Sequence, residues 1–159
     1  MSALPSPEAL AKVVTNVTKS MLGIVFESLL EQYKSEILLG LNERRWRVAV
    51  LPLPGTRPVT VVLAADEPGC RRIAAAFFQI TAQEVDDDMV EETLGELTAI
   101  AAGLLKRALH LDGEIGKPRI LKSIDRPVAF PSGPDGVVWL QAQGIGATLG
   151  FGEGLVQLA

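Results

Sequence analysis

The stretch Asp88–Lys106, DMVEETLGELTAIAAGLLK, constrains this chain more than any other, because its two sides have opposite chemistry. Val90, Leu94, Leu97, Ala101, Leu104 and Ala108 recur at steps of four and three, the spacing of one face of an α-helix. That stripe predicts a long helix laid on a core. Glu92, Glu96, Ala99, Gly103 and Lys106 keep the same rhythm on the opposite side. A helix anchored by an apolar stripe has no packing need for a Glu, an Ala and a Gly aligned on its outer side. This second face is therefore expected to meet a partner. Gly103 adds to the argument, since a mid-helix glycine costs about 0.8–1.0 kcal/mol relative to Ala. A close approach would account for it, either by a docking partner or by a neighbouring element packed against the helix.

Around this helix the sequence predicts short helices and strands. Ser6-Pro7-Glu8 is a helix start, with a capping hydroxyl, Pro at the first helical position and an acid near the positive end. The helical rhythm runs from Ala9 to about Phe26, with Gly23 as a weak point or end. The stretch 27–42 fits either a second helical segment or an irregular strand. Trp46–Leu53 and Val59–Ala65 read as strands joined by the turn Pro54-Gly55-Thr56-Arg57-Pro58, and Asp66-Glu67-Pro68 starts a helix reaching Phe78. Residues 112–120 read as a loop entering a strand. Val137–Gln143 and Ile145–Phe151 read as a closing hairpin around Gly144, because apolar residues alternate through GIGATLGFGEG and no strand–turn–helix context makes it a phosphate loop. The expected fold class is α+β, with helices packed on an antiparallel sheet. A single domain over 1–159, with 1–8 as a flexible lead-in, suits a chain of 159 residues that is 48% hydrophobic and 21% charged.

Several function classes are disfavoured. A net charge of −4 and the absence of a basic stripe argue against nucleic acid. Arg44, Arg45 and Arg47 are interrupted by Trp46 and read as a strand entrance. No window is long and apolar enough for a membrane span, so a cytoplasmic address is expected. Cys70 is the sole cysteine; Arg71 and Arg72 beside it favour a lowered pKa, but no histidine stands near as its base. His110, the sole histidine, reads as a helix C-terminal residue. Asp86-Asp87-Asp88 offers three acids, yet consecutive residues cannot all converge on one ion, and negative charge at a helix start explains them.

Gly95-Glu96-Leu97 and Gly103 on the long helix, the hairpin and Asp-Glu helix start within Val59–Ala76, and Gly116-x-Pro118 downstream resemble the CheC/CheX-like family of bacterial chemotaxis phosphatases. The order of elements from Trp46 to the C-terminus matches as well. The resemblance implies a CheX-like fold, possible pairing as a homodimer, and action on a phosphorylated CheY-like receiver domain in two-component signalling. It implies no intrinsic cofactor; Mg2+ is expected on the receiver. In the family, a Glu and an Asn three residues later share one exposed helix face. The carboxylate engages the receiver at its lysine, and the amide holds a water in line with phosphorus, so that catalysis is positioning rather than covalent chemistry. The resemblance makes Glu96 the catalytic acid, with Glu92, Glu96, Ala99, Gly103 and Lys106 as the partner-binding face. Here the chain departs from the pattern. Ala99 stands at the amide position, Leu104 stands where a second Asn is usual, and Glu92 represents the small polar or acidic residue one turn earlier. Thr98, the neighbouring polar residue, is turned about 100° away. Two activities fit this pattern: an aspartyl-phosphate phosphatase with weak or lost activity, and a non-catalytic receiver-binding or adaptor module.

Overall fold

The computed structural model describes residues 4–28, 47–122, 131, 136–142 and 144–156. Helix α1 spans Pro7–Leu22. Strand β1, Phe26–Ser28, follows it, then β2, Arg47–Leu53, and β3, Val59–Ala65. Helix α2 covers Glu67–Phe78, and a 3-10 turn at Ala82–Glu84 leads to α3, Asp87–Leu109. Strands β4, Arg119–Lys122, β5, Val137–Ala142, and β6, Ala147–Glu153, complete the order. Among the described residues six strands form one sheet in the order β1-β5-β6-β3-β2-β4, and every pairing is antiparallel. The expected α+β class is the observed one.

Strand alternation sends Leu51, Leu53, Val61, Leu63, Leu149 and Phe151 to one face of the sheet. There they meet Leu10 and Val14 of α1, Ile73 and Ala74 of α2, and the buried side of α3. The opposite face is buried too, through Val48, Val50, Val62, Ala64 and Trp139. This two-sided burial explains why β3 reads VTVVLAA, nearly all apolar, rather than alternating.

Helix starts follow side-chain chemistry. The Ser6 hydroxyl accepts from the Ala9 amide at 3.2 Å, Asp66 from Gly69 at 2.8 Å and Asp86 from Met89 at 2.9 Å. The first helix ends sooner than its rhythm suggests. Gly23 takes a left-handed conformation (φ +68°) and stops α1 at Leu22, so Phe26 lies on a strand. The Thr15 hydroxyl receives the Phe26 amide at 2.9 Å, and Thr18 donates to the Ile24 carbonyl at 2.8 Å. These bonds turn the chain back into β1. Ahead of the helix, Leu4 packs against the core. The ambiguous stretch 27–42 begins in β1 and otherwise lies outside the described residues, as do Arg44 and Arg45.

On α3 the buried residues are Val90, Thr93, Leu94, Leu97, Thr98, Ala101, Ala102 and Leu105. The expected stripe holds through Ala101 and then shifts. Leu105 replaces Leu104, which is half-buried, and Ala108 is exposed. For Leu104 the cause is geometric: a strict seven-residue step drifts about 20° per repeat on a straight helix, which turns Leu104 away from the buried line and leaves Leu105 in it. Thr93 and Thr98 enter the buried set by donating their hydroxyls to the Met89 and Leu94 carbonyls, at 2.7 and 2.6 Å.

Cys70 corrects an expectation. Its neighbours in sequence do not activate it: Arg72 donates to the Gly144 carbonyl at 2.6 Å, and Arg71 to the Val85 carbonyl at 3.1 Å. The thiol is 1% exposed, and burial pushes its pKa up to about 12, outweighing the opposing charge of Arg47. Cys70 is therefore expected to resist iodoacetamide at pH 8 in the folded protein and to react at the rate of an ordinary thiol once urea unfolds the chain, as followed by mass spectrometry.

Candidate functional site on the outer face of α3

Helix α3 is held in place before its outer face is considered. Each buried Leu on its inner side contributes about 1.5–3 kcal/mol, so Leu94, Leu97 and Leu105 outweigh any exposed ion pair, worth about 0–1 kcal/mol. Polar contacts set the position of the ends. At the start, Arg47 Nη2 lies 2.6 Å from Asp87 and 3.8 Å from Glu67 of α2. At the end, His110 caps the helix with φ +52°, and the Leu111 amide donates to the Lys106 carbonyl at 3.0 Å. Asp112 then accepts from the Thr56 amide at 3.0 Å and the Thr56 hydroxyl at 2.6 Å, tying the α3–β4 loop to the β2–β3 turn. These bonds hold the Asp112 carboxyl below its usual pKa, hydroxyl first and amide second.

The expected partner face is brought together. At 3.6 residues per turn, Glu92, Gly103, Ala99 and Lys106 lie within about 80° of Glu96 around the helix axis. Glu92 and Glu96 are exposed; Ala99, Gly103 and Lys106 are half-buried. Ala99 packs against the core cluster, and the chain 114–118 crosses beside the helix at Gly95 and Gly103. A Cβ on Gly95 would stand 3.2 Å from Pro118 Cγ, tight enough to press on the ring, so Gly95 serves the fold. A Cβ on Gly103 would meet only Ile115 Cδ1, at 3.7 Å, an ordinary contact. Packing within the described chain does not explain Gly103.

From Leu97 to Leu105, LTAIAAGLL, Thr98 is the sole polar side chain, and its hydroxyl is committed to the Leu94 carbonyl. Beyond Glu96 the outer side therefore presents Ala99, Ile100 and Gly103, with Ile115, 38% exposed, beside them. Sequence reasoning missed Ile115, because nothing in Gly113–Lys117 indicates which helix turn that loop lies against.

A cleft of about 290 Å3 lined by Leu4, Pro58, Val59, Leu109 and Leu111 begins about 20 Å along the axis from Glu96. Among the described residues no three His, Cys, Asp or Glu side chains are grouped to hold a metal ion, and Asp86 acts as a helix cap. None of the described helices is long and apolar enough to cross a membrane.

Comparison with known proteins identifies the fold. A family model described as chemotaxis phosphatase CheX matches residues 47–140, which include all of α3. The fold is similar to that of CheX from Desulfovibrio desulfuricans, at 14% identity and a TM-score of 0.63, covering 91% of this chain and 96% of that one. It is similar to CheX from Vibrio vulnificus at 12% identity and a TM-score of 0.62, covering 94% and 99%. The CheX–CheY–BeF3–Mg2+ complex from Borrelia burgdorferi matches at 14% identity and a TM-score of 0.63, covering 91% and 94%. No curated protein matches the chain in sequence.

Two outcomes follow from the mounting of α3. Gly103→Ala is expected to stabilise the protein by about 0.8–1.0 kcal/mol in urea unfolding, since a methyl there removes the glycine cost without a clash. The depressed Asp112 carboxyl contributes stability that is present above its unfolded pKa, near 3.9, and lost as pH falls through the folded value. Asp112→Asn is expected to flatten the stability profile below about pH 4, read from urea midpoints across pH.

Proposed function

The chain belongs to the chemotaxis phosphatase CheX family, and from that premise we propose that α3 docks on a phosphorylated CheY-like receiver domain in two-component signalling, with weak or lost hydrolytic activity. The observation that carries this reading is an exposed Glu96 followed, one turn on and on the same side, by the methyl of Ala99. Glu96 keeps the carboxylate that meets the receiver's lysine. Glu92, Gly103 and Lys106 extend the contact along one side, over about 21 Å of helix. The Borrelia burgdorferi complex, in which CheX is held with CheY, BeF3 and Mg2+, supports a CheY-like receiver as partner.

Hydrolysis of an aspartyl phosphate needs a water in line with the bond to be broken. A methyl can neither donate to that water nor accept from it, and the Thr98 hydroxyl is turned inward and bonded. Losing one well-placed transition-state hydrogen bond costs about 2.7–4 kcal/mol, or about 10²–10³ in rate. The docking half of the family's device is thus retained and the water-holding half is missing. The rigidity of the helix lets the two halves separate, because removing one side chain leaves the direction of the other unchanged.

Restoring the amide tests this. Ala99→Asn is expected to raise phosphate release from an acetyl-phosphate-charged receiver by about 10²–10³ over the unmodified chain, and adding Glu96→Gln is expected to abolish the gain. An Ala99→Asn protein that folds, by circular dichroism, yet leaves release unchanged would refute the assignment.

A further inference from the structure

We propose that this chain protects the receiver's aspartyl phosphate from water, so that its binding lengthens the signalling state instead of ending it. The inference rests on the receiver-docking reading above and adds the direction of its effect. It follows from the side of α3 that lies beyond Glu96. Ala99, Ile100 and Gly103 are each partly open to solvent, and no side chain among them has a hydrogen-bonding atom. Ile115, whose Cδ1 lies 3.7 Å from where a Gly103 Cβ would stand, extends this dry surface. The loop carrying Ile115 is tied down at both ends, by Asp112 on Thr56 and by Pro118 against Gly95, which keeps it beside the helix.

Chemistry gives the sign. In hydrolysis a water oxygen attacks phosphorus, the bond from phosphorus to the aspartyl oxygen breaks, and inorganic phosphate leaves with a free carboxylate; the attacking water gives up a proton. A surface that seats a carboxylate beside the phosphoryl group and then covers it with methyl groups removes the attacking water without supplying a replacement. Bulk water, which attacks the free receiver unaided, is displaced. Gly103 adds no bulk beside Ile115, so the side chain of Ile115 lies low against the helix and the dry surface stays continuous. The carboxylate supplies affinity, and the apolar turns exclude solvent.

The test uses the full chain with a CheY-like receiver from the same organism. The receiver is charged with acetyl phosphate and Mg2+, freed of donor, and its phosphate release is followed with and without the chain. Occupancy is measured in parallel by titrating the beryllofluoride–Mg2+ form. With nine-tenths of the receiver bound, release is expected to slow by up to about tenfold, since by mass action only the unbound fraction reacts at its own rate. Ile115→Ser and Ile100→Gln, compared at matched occupancy, are expected to return the rate toward that of the free receiver. Saturable binding with an unchanged or faster release overturns this proposal and leaves the docking assignment standing. Absence of binding to the beryllofluoride form overturns both.

Discussion

Burial of one side of α3 against β2 and β3 is the constraint on which the rest of the molecule depends. Leu94, Leu97, Ala101 and Leu105 fix the helix in rotation as well as in place, because turning it by one residue would carry about 100° of apolar surface into water. A fixed inner side means a fixed outer side. The sheet beneath gives little, being buried on both faces, and its central strands pair over seven residues each. The helix therefore carries Glu96 in one direction only, and a partner meeting that carboxylate meets Ala99 and Gly103 in a set order.

This mounting explains how a chain can keep a docking surface while losing a catalytic group. In a site assembled from several loops, removing one member lets the others relax. On a single helix the backbone hydrogen bonds hold each side chain's direction independently of its neighbours. Replacing an amide by a methyl at Ala99 thus alters the chemistry of the surface and leaves its shape nearly untouched. The loop at Ile115 contributes from a different element, yet it is tied to the same helix through Pro118 and to the hairpin through Asp112. The surface is composite in sequence and a single body in space.

Much of this was legible in the residues. The hairpin, the Asp66 start of α2, the extent of α3 and the outward rhythm of Glu92 and Glu96 follow from local rules whose physics is local: caps, periodicity and turn residues. What escaped was decided by distant parts of the chain. Gly23 marked an end, but the commitment of Thr15 and Thr18 to the following backbone, which makes a strand of Phe26, depends on β1 finding β5. Leu104 and Leu105 are equally apolar, and only the angular drift of a seven-residue step on a straight helix chooses between them. The lowered pKa expected of Cys70 rested on two adjacent cations, whereas the folded backbone points both arginines at carbonyl oxygens elsewhere. Adjacency in sequence is a poor guide to electrostatics once a residue is inside.

The bond from Asp112 to Thr56 joins two turns that lie 56 positions apart in the chain. It makes the β2–β3 turn a remote handle on the outer helix face. A peptide tag or fusion spliced between Gly55 and Arg57 would sever that tie and loosen the loop bearing Ile115. Labels meant to report on this protein without altering it belong elsewhere, and the solvent-facing side of α1 around Lys12 and Asn16 offers such a place.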